Sequence, residues 1–479
     1  MLLQSSICRM LYLGAKENPM TPTTKKTLLI ILIILLVLCL CAAALALLGG
    51  FALFRSNPKP TLAAQLKPEQ PAASATSAPQ ANPEAADDKI SASMNEIEQQ
   101  VSAIRGLKLE NAIPRKLLTE EELQATVEND FFKDYSAEDA ASDARVLSLL
   151  GLLPRDFDLL SFYQQLYSEQ IAGYYDDELK AMFVVKNSGF TGVERDTYAH
   201  EFTHALQDAA FDFNGALNYT DEACQEDSER CAALQSLIEG DATLTESFWL
   251  QNYATQEDIR DLQSFYAGYE SPVYDSAPVY MQEDFLFAYQ QGLAFVQSLY
   301  DRGGYAAVDA AYTSSQPAST EQIMHPNRYP TDIPAKVELP DLSAALGPAW
   351  EESDRNVMGE WYTWLILARG DDAESRLVDA KASAAAEGWG GDTYVVLEDT
   401  SSAKTALLVR YTWDGSSDAA EAKLAFESYL GLRLGRPDQS GIYAKDGAYA
   451  ALRQDSQFGF TWLIADSRAV LETLLGELY

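Results

Sequence analysis

The residues best suited to chemistry lie between Tyr198 and Gln207, in the sequence YAHEFTHALQ. This segment contains H-E-x-x-H and has no Gly or Pro, so it favours a helix. On a helix His200 and His204 lie on one face, where both imidazoles can bind a single metal ion. Glu201 lies beside them, placed to take a proton from a metal-bound water. The alternative is an amphipathic helix with two partly buried histidines. The chain has three histidines in 479 residues, and two of them are here, which favours the metal site.

A catalytic zinc ion typically takes three protein ligands and keeps one position open. The longer pattern H-E-x-x-H-x-x-G-x-x-H does not supply the third ligand, because positions 207 and 210 are Gln and Ala. We therefore expect a carboxylate from a second helix, and Glu239 is the best candidate. It follows His204 by 35 residues and lies among apolar residues, where an unpaired carboxylate would be costly. A metal ion or an arginine could compensate that charge, and both remain open here.

Three polar residues after Glu239 are candidates for orienting the histidine rings. Asp241, Thr243 and Glu246 lie on the same predicted helix and could pair with the ring N–H groups. The sequence does not choose among them.

The third histidine, His325, has two possible roles. It could stabilise an oxyanion that forms when a metal-bound water attacks at the H-E-x-x-H site. The nearby Tyr329 could also take that role. It could equally be a structural histidine that caps a turn before Pro326. The sequence supports both equally.

The composition indicates folded units with an acidic surface. A chain of 479 residues is too long for one core, and a hydrophobic content of 47% excludes a mostly disordered protein. Residues 90–479 carry 27 basic and 66 acidic residues. Such a surface repels nucleic acid and anionic lipid, so we expect neither as a partner.

The amino-terminal part predicts a membrane anchor. Residues 28–54 carry no charge, and an apolar helix from Leu28 to Leu48 would be about 30 Å long, enough to cross a bilayer. A cleaved signal peptide is the alternative, although the run is longer than the usual apolar region of one. The basic excess of residues 1–27 places them in the cytoplasm. Residues 55–89, rich in Pro, Ala and Ser, predict an extended linker.

The remaining chain predicts an α+β protein in two parts. Residues 90–345 are mainly helical, with patterns at 118–129, 139–150 and 157–170 before the H-E-x-x-H helix. Gly173–Asp177 predicts a turn and Lys180–Lys186 a strand. That strand is either a sheet edge to which a peptide substrate could add, or an ordinary hairpin strand.

Residues 346–479 predict a small α+β domain with an antiparallel sheet. The expected strands are 393–397, 406–413, 442–453 and 458–465, with helices at 418–430 and 468–475. Cys224 and Cys231 could form a disulfide only if Cys224 lies outside the helix that holds Cys231, because seven helical residues separate two sites by about 10 Å.

The sequence resembles the gluzincin class of zinc metallopeptidases, and more narrowly a group of uncharacterised prokaryotic membrane-anchored H-E-x-x-H proteins. The segments that carry the resemblance are AGYYDD (172–177), AHEFTHALQD (199–208), LIEGDAT (237–243), PASTEQIMHP (317–326) and EGWGGD (387–392). It covers most of residues 140–479. The resemblance implies a zincin-like fold, His200, His204 and Glu239 as zinc ligands, and Glu201 as general base.

These features predict a single-pass membrane protein whose extracytoplasmic part hydrolyses peptide bonds with Zn²⁺. Its partner would be a peptide or protein substrate, while its oligomeric state is open. The alternative is a non-catalytic, membrane-anchored binding protein with a relic zinc site, in which the C-terminal domain does the binding. Retention of Glu201 together with both histidines argues against that alternative.

Overall fold

The computed structural model describes residues 83–126, 132, 135–170, 173–185, 189–402 and 404–478. Within these ranges no helix is both long enough and apolar enough to cross a membrane. The predicted cytoplasmic segment, the anchor at 28–54 and most of the predicted linker lie outside the described residues.

Helices make up most of the described chain before residue 347. They are α1 Pro83–Arg105, α2 Glu120–Thr126, α3 Ala137–Leu150, α4 Leu159–Gln170, α5 Gly192–Phe211, α6 Asp221–Glu226, α7 Ser228–Asn252, α8 Gln256–Gly268, α9 Pro272–Ser276, α10 Val279–Gly303, α11 Tyr305–Thr313, α12 Thr320–Met324 and α13 Ser343–Leu346. The carboxyl-terminal helices are α14 Gly359–Ala368, α15 Asp379–Ala386, α16 Ser416–Leu434 and α17 Arg468–Leu478.

The strands form two sheets. They are β1 Arg115–Leu118, β2 Gly173–Asp176, β3 Ala181–Val185, β4 Trp350–Asn356, β5 Trp389–Asp399, β6 Thr405–Trp413, β7 Ile442–Lys445, β8 Ala448–Ser456 and β9 Gly459–Ala465. The first sheet has the order β1-β3-β2 and the second β4-β5-β6-β9-β8-β7. The predicted α+β class is therefore confirmed.

Helix α1 packs on the H-E-x-x-H helix α5 through one apolar stripe. Its buried residues Ile90, Met94, Ile97 and Val101 recur at helical spacing and contact the apolar side of α5. The helix begins at Pro83, so the final residues of the predicted linker are helical.

The three-stranded sheet corrects the turn predicted at Gly173–Asp177, and for the strand predicted at Lys180–Lys186 it favours the hairpin strand over the substrate edge. The segment expected to turn at Gly173 is strand β2, which pairs antiparallel with β3 from Gly173 opposite Val184 to Asp176 opposite Ala181. Strand β3 also pairs in parallel with β1, so it is the central strand and has no open edge for a peptide. The edge strands are β1 and β2.

The carboxyl-terminal sheet is antiparallel throughout. The predicted strand at 442–453 is two strands, β7 and β8, because the chain reverses at Asp446 and Gly447, both of which have positive φ. Strand β4, which the sequence did not indicate, forms one edge of this sheet.

One hydrophobic core crosses the predicted boundary at residue 346. It joins residues of the helical part, such as Leu149 and Leu237, to Trp361, Tyr411 and Trp462 of the carboxyl-terminal part. Helix α3 connects the two directly, because the side chain of Arg433 donates to the carbonyl of Leu149 at 2.6 Å. The two parts therefore fold around shared apolar contacts.

A disulfide joins Cys224 to Cys231, with Cα atoms 5.4 Å apart. Cys224 lies on the short helix α6, which ends before α7 begins, and this break brings the two residues close enough to bond.

Candidate metal centre

Helix α5 carries the H-E-x-x-H residues through the middle of the helical part. It begins after Thr191, whose backbone N–H donates to the Glu194 carboxylate at 2.8 Å, and it ends at Asp212 in a left-handed conformation. Every residue from Asp196 to Asp208 is buried, so the helix is covered on all sides. His200, Glu201 and His204 therefore point into a protected interior.

Helix α7 crosses α5 and brings Glu239 to the two histidines. Glu239 and Glu246 are seven residues apart, about two turns, and so share the face of α7 that meets α5. Both helices are buried on most sides at this crossing. The structure thus joins the predicted third ligand to the motif.

The carboxylate of Glu239 lies between the two imidazole rings. Its Oε2 is 3.2 Å from Nε2 of His200 and 3.4 Å from Nε2 of His204. Ligand atoms about 2.0–2.1 Å from a tetrahedral zinc ion are about 3.3–3.4 Å from one another. Ligand atoms of His200, Glu201 and His204 also lie within 4.8 Å of one another. The two nitrogens and the carboxylate oxygen fit the donor set and the spacing that zinc prefers.

Each histidine is held through its other ring nitrogen. Nδ1 of His200 is 2.9 Å from Oε2 of Glu246, and Nδ1 of His204 is 2.9 Å from Oε1 of Gln207. This arrangement directs both Nε2 atoms toward Glu239. Of the orienting residues weighed from the sequence, Glu246 contacts a histidine ring, whereas the Thr243 hydroxyl donates to the backbone carbonyl of Glu239.

Strand β2 holds the side chain of Glu201. The backbone N–H of Tyr175 donates to Oε2 of Glu201 at 2.9 Å, and its phenol donates to Asp208 at 2.6 Å. Lys180 pairs with the same Asp208 carboxylate at 2.5 Å. These contacts fix strand β2 to helix α5 at two points, Glu201 and Asp208. They also fix the side chain of Glu201.

The charges of this cluster favour the protonated, positively charged form of the His200 ring in the metal-free chain. Burial acts to lower the pKa of His200, but hydrogen bonds to Glu239 and Glu246 outweigh it and raise the pKa to about 9. Burial acts to raise the pKa of Glu239, but His204 and His200 lower it to about 2. A metal ion at this site would replace that proton as the positive partner of Glu239.

His325 lies in a different cluster. It caps the end of α12, and its Nε2 is 2.9 Å from Oε1 of Glu360 at the start of α14. Its further charge contacts are with Arg328 and Glu387, so no described contact brings His325 to the H-E-x-x-H residues. Tyr329 is likewise engaged elsewhere, since its phenol donates to the Ser315 carbonyl.

A second group of three carboxylates, formed by Glu321, Asp332 and Asp414, lies near His325. Nη1 of Arg328 is 2.5 Å from Glu321, 3.2 Å from Asp332 and 3.0 Å from Asp414. The guanidinium of Arg328 already contacts all three carboxylates, so we do not assign a metal ion to this group.

Two of the other segments that carry the family resemblance lie where the helical part contacts the carboxyl-terminal part, and they stabilise that contact. Asp392, in EGWGGD, accepts hydrogen bonds from the backbone N–H groups of Met358 and Gly359 and so caps α14. Thr320, in PASTEQIMHP, donates through its N–H and its hydroxyl to the buried carboxylate of Glu229 at the start of α7.

Tyr289, on α10, was not among the site residues predicted from the sequence. Its ring centroid is 6.2 Å from that of His200, and its hydroxyl is buried and interacts with the Glu239 carboxylate. A tyrosine in an apolar helix gives no local signal for such a role, since it lies 50 residues beyond Glu239. The site therefore has a phenol beside the proposed ligands.

Comparison with known proteins covers only the carboxyl-terminal part of the chain. Residues 346–474 match the family model described as Domain of unknown function (DUF8575). No curated protein and no solved structure matches the chain. The match begins at the residue where the sequence predicts the C-terminal domain.

Proposed function

We propose that this chain is a zincin-like, zinc-dependent metallopeptidase of the gluzincin type. The observation that carries the proposal is that the carboxylate oxygen of Glu239 lies 3.2 Å and 3.4 Å from the Nε2 atoms of His200 and His204, with the carboxylate of Glu201 beside the two histidines. A relic site would not need the second set of contacts through Glu246 and Gln207 that directs both rings.

His200, His204 and Glu239 would hold the ion. When bound, a zinc ion would lower the pKa of a water molecule at the site and polarise the substrate carbonyl. The burial of these three residues excludes competing water and strengthens their electrostatic contacts.

Glu201 acts as the general base and then as the general acid. Its Oε2 is engaged by the Tyr175 amide, and Oε1 accepts a proton from the attacking water. The water oxygen bonds to the carbonyl carbon, the C–N bond breaks, and Glu201 delivers the proton to the leaving amine. The hydrolysis consumes one water molecule for each peptide bond that is broken.

Tyr289 donates a hydrogen bond to the developing oxyanion. Burial raises the pKa of its phenol well above the usual range, so the hydroxyl keeps its proton at neutral pH. It is the phenol beside the proposed ligands, whereas His325 and Tyr329 are engaged elsewhere.

We place the catalytic part outside the cytoplasm, tethered by residues 28–54 and the following linker. The Cys224–Cys231 disulfide supports this location, because disulfides persist in oxidising compartments. The substrate on that side would be a peptide or protein.

The first experiment is elemental analysis of the purified full-length chain after gel filtration. We expect about one zinc ion per chain, a value typical of a mononuclear site. Glu239→Ala should lose the metal, while Glu201→Gln should keep it and lose almost all cleavage of a quenched fluorescent peptide library. The matched control for metal content is His325→Asn, which changes the histidine outside the cluster.

The outcomes separate the rival functions. A Glu201→Gln variant with undiminished cleavage would exclude the mechanism. A wild-type chain that neither contains nor takes up zinc would favour the binding-protein alternative and move attention to the carboxyl-terminal part.

A further inference from the structure

The side of His204 that faces away from the proposed ion contacts the amide of Gln207. Gln207 lies one turn further along α5 and is fully buried, and its Oε1 is 2.9 Å from Nδ1 of His204. An amide has an accepting end and a donating end, so its orientation decides what the imidazole must do.

Two fixed acceptors decide the orientation of Gln207. Its Nε2 is 3.0 Å from the backbone carbonyl of Ile238 and 3.0 Å from Oδ2 of Asp241. The backbone carbonyl can only accept, and Oδ2 of Asp241 also accepts from Arg105 and Tyr312, so the NH₂ group must lie on this side. The amide oxygen then faces His204, whose Nδ1 must carry a proton, and this leaves Nε2 as the ring nitrogen that faces Glu239.

Asp241 forms a buried ion pair with Arg105. Nε of Arg105, the last residue of α1, is 3.0 Å from Oδ2 of Asp241, and the Tyr312 hydroxyl donates to the same oxygen at 3.0 Å. Both charged side chains are fully buried. An isolated charge in this interior would be very costly, so each partner compensates the charge of the other and the pair stays together.

We propose that Asp241 and Arg105 are positioning residues that act on His204 through Gln207. The ion pair sets the direction of the Gln207 amide, and the amide sets the tautomer in which His204 can bind a metal ion at Nε2. This inference rests on the proposed metal site. It assigns a role to Asp241, which the sequence offered only as one of three orienting residues, and to Gln207, which had served only to exclude a longer motif.

The test reverses the hydrogen bond between Gln207 and Asp241, so that residue 207 becomes the acceptor and residue 241 the donor. Gln207→Glu places a second carboxylate against Asp241, and we expect the zinc affinity of the full-length chain to fall about 10- to 100-fold, as for other orienting partners of metal ligands. Adding Asp241→Asn restores a donor opposite the introduced carboxylate, so the double variant should recover most of that affinity. Gln322→Glu is the control, because Gln322 is equally buried but belongs to the junction near His325.

Recovery in the double variant, with unchanged affinity in the control, supports the inference. Wild-type affinity in Gln207→Glu, or equal losses in the single and double variants, would overturn it.

A second measurement does not depend on zinc. In the metal-free chain labelled with ¹⁵N-histidine, Nδ1 of His204 should carry a proton at pH 9.5, with assignments from His200→Asn and His325→Asn. An unprotonated Nδ1 would overturn the inference even if the chain binds zinc. A protonated Nδ1 in a chain that binds no zinc would support the inference and contradict the proposed function.

Discussion

At the scale of single residues, the site is defined by which atoms are already engaged. Glu201 is held by a backbone amide, His200 by Glu246 and His204 by Gln207. Each of these contacts removes rotational freedom before a substrate of the proposed peptidase would bind. Preorganisation of this kind lowers the reorganisation required in the transition state.

The variant Tyr289→Phe tests whether Tyr289 is the oxyanion donor. Removing the hydroxyl with Tyr289→Phe should lower kcat about 100-fold with little change in KM or zinc content, because the hydrogen bond forms mainly in the transition state. The measurement is steady-state cleavage of a peptide found to be a substrate. A Tyr289→Phe variant with wild-type kcat would show that another group stabilises the oxyanion, and Tyr329→Phe, whose phenol binds the Ser315 carbonyl, is the control.

The pKa of His200 predicts how zinc binding depends on pH. Because that pKa is about 9 in the metal-free chain, zinc must displace one proton from His200 at neutral pH. The apparent zinc affinity should therefore rise by about tenfold per pH unit between about pH 6.5 and pH 8. Competition with a chelator at several pH values measures the slope, and an affinity independent of pH would contradict the prediction.

The same shift has a consequence for the metal-free fold. A raised histidine pKa stabilises the folded chain fully below the unfolded value of 6.5, and this contribution is lost as the pH rises through about 9. His200 should thus make the metal-free chain less stable at pH 10 than at pH 6.

At the scale of elements, the position of Glu239 depends on how closely α7 and α10 approach. A Cβ atom on Gly240 would lie 2.2 Å from the backbone of Gly292, and one on Gly292 would lie 2.2 Å from the carbonyl of Ser236. The two helices therefore meet backbone to backbone, next to Glu239 on one helix and near Tyr289 on the other. The glycine of LIEGDAT is explained by this contact.

Gly240→Ala should force α7 and α10 apart. We expect a loss of about 1–3 kcal/mol or more in the free energy of unfolding, together with weaker zinc binding, because the clash involves main-chain atoms that cannot rotate away. Urea unfolding and zinc competition measure the two effects. Gly431→Ala is the control, since Gly431 lies inside α16 with open space around it and should gain stability. Equal behaviour of the two variants would contradict the proposed packing.

At the scale of the whole molecule, the helical part and the carboxyl-terminal sheet share one core. Trp361 stacks on Phe287 at a centroid distance of 4.4 Å, and Tyr429 on α16 donates to the Leu150 carbonyl of α3. The buried carboxylates of Glu229 and Asp392 meet in the same junction. Separation would expose this apolar surface and leave these polar groups without their partners.

This shared core predicts a single unfolding transition for the metal-free chain. Far-ultraviolet circular dichroism and the fluorescence of Trp361 and Trp462, isolated by replacing other tryptophans, should report the same midpoint in urea. Two separated midpoints would show that the parts unfold independently. Asp392→Ala should move the common midpoint, because it removes the cap of α14 within the junction.

The sequence by itself determined what depends on local spacing. The helical periodicity places the two histidines at i and i+4 with Glu201 beside them, and it also shows that Glu239 lies among apolar residues. These residues could therefore be found without a structure. The helix boundaries at 139–150 and 157–170 lie within two residues of α3 and α4, because their apolar patterns are regular.

Tertiary structure alone decided contacts between segments far apart in the chain. The predicted substrate edge became a central strand because β1, more than 60 residues earlier, pairs with it, and no local pattern records that pairing. The packing of α1, α5, α7 and α10 at this site brings together the residues to which we assign further roles, which are Tyr289, Gln207 and Arg105. Periodicity identifies the buried face of a helix, whereas the neighbour that covers the face depends on the packing of the whole chain.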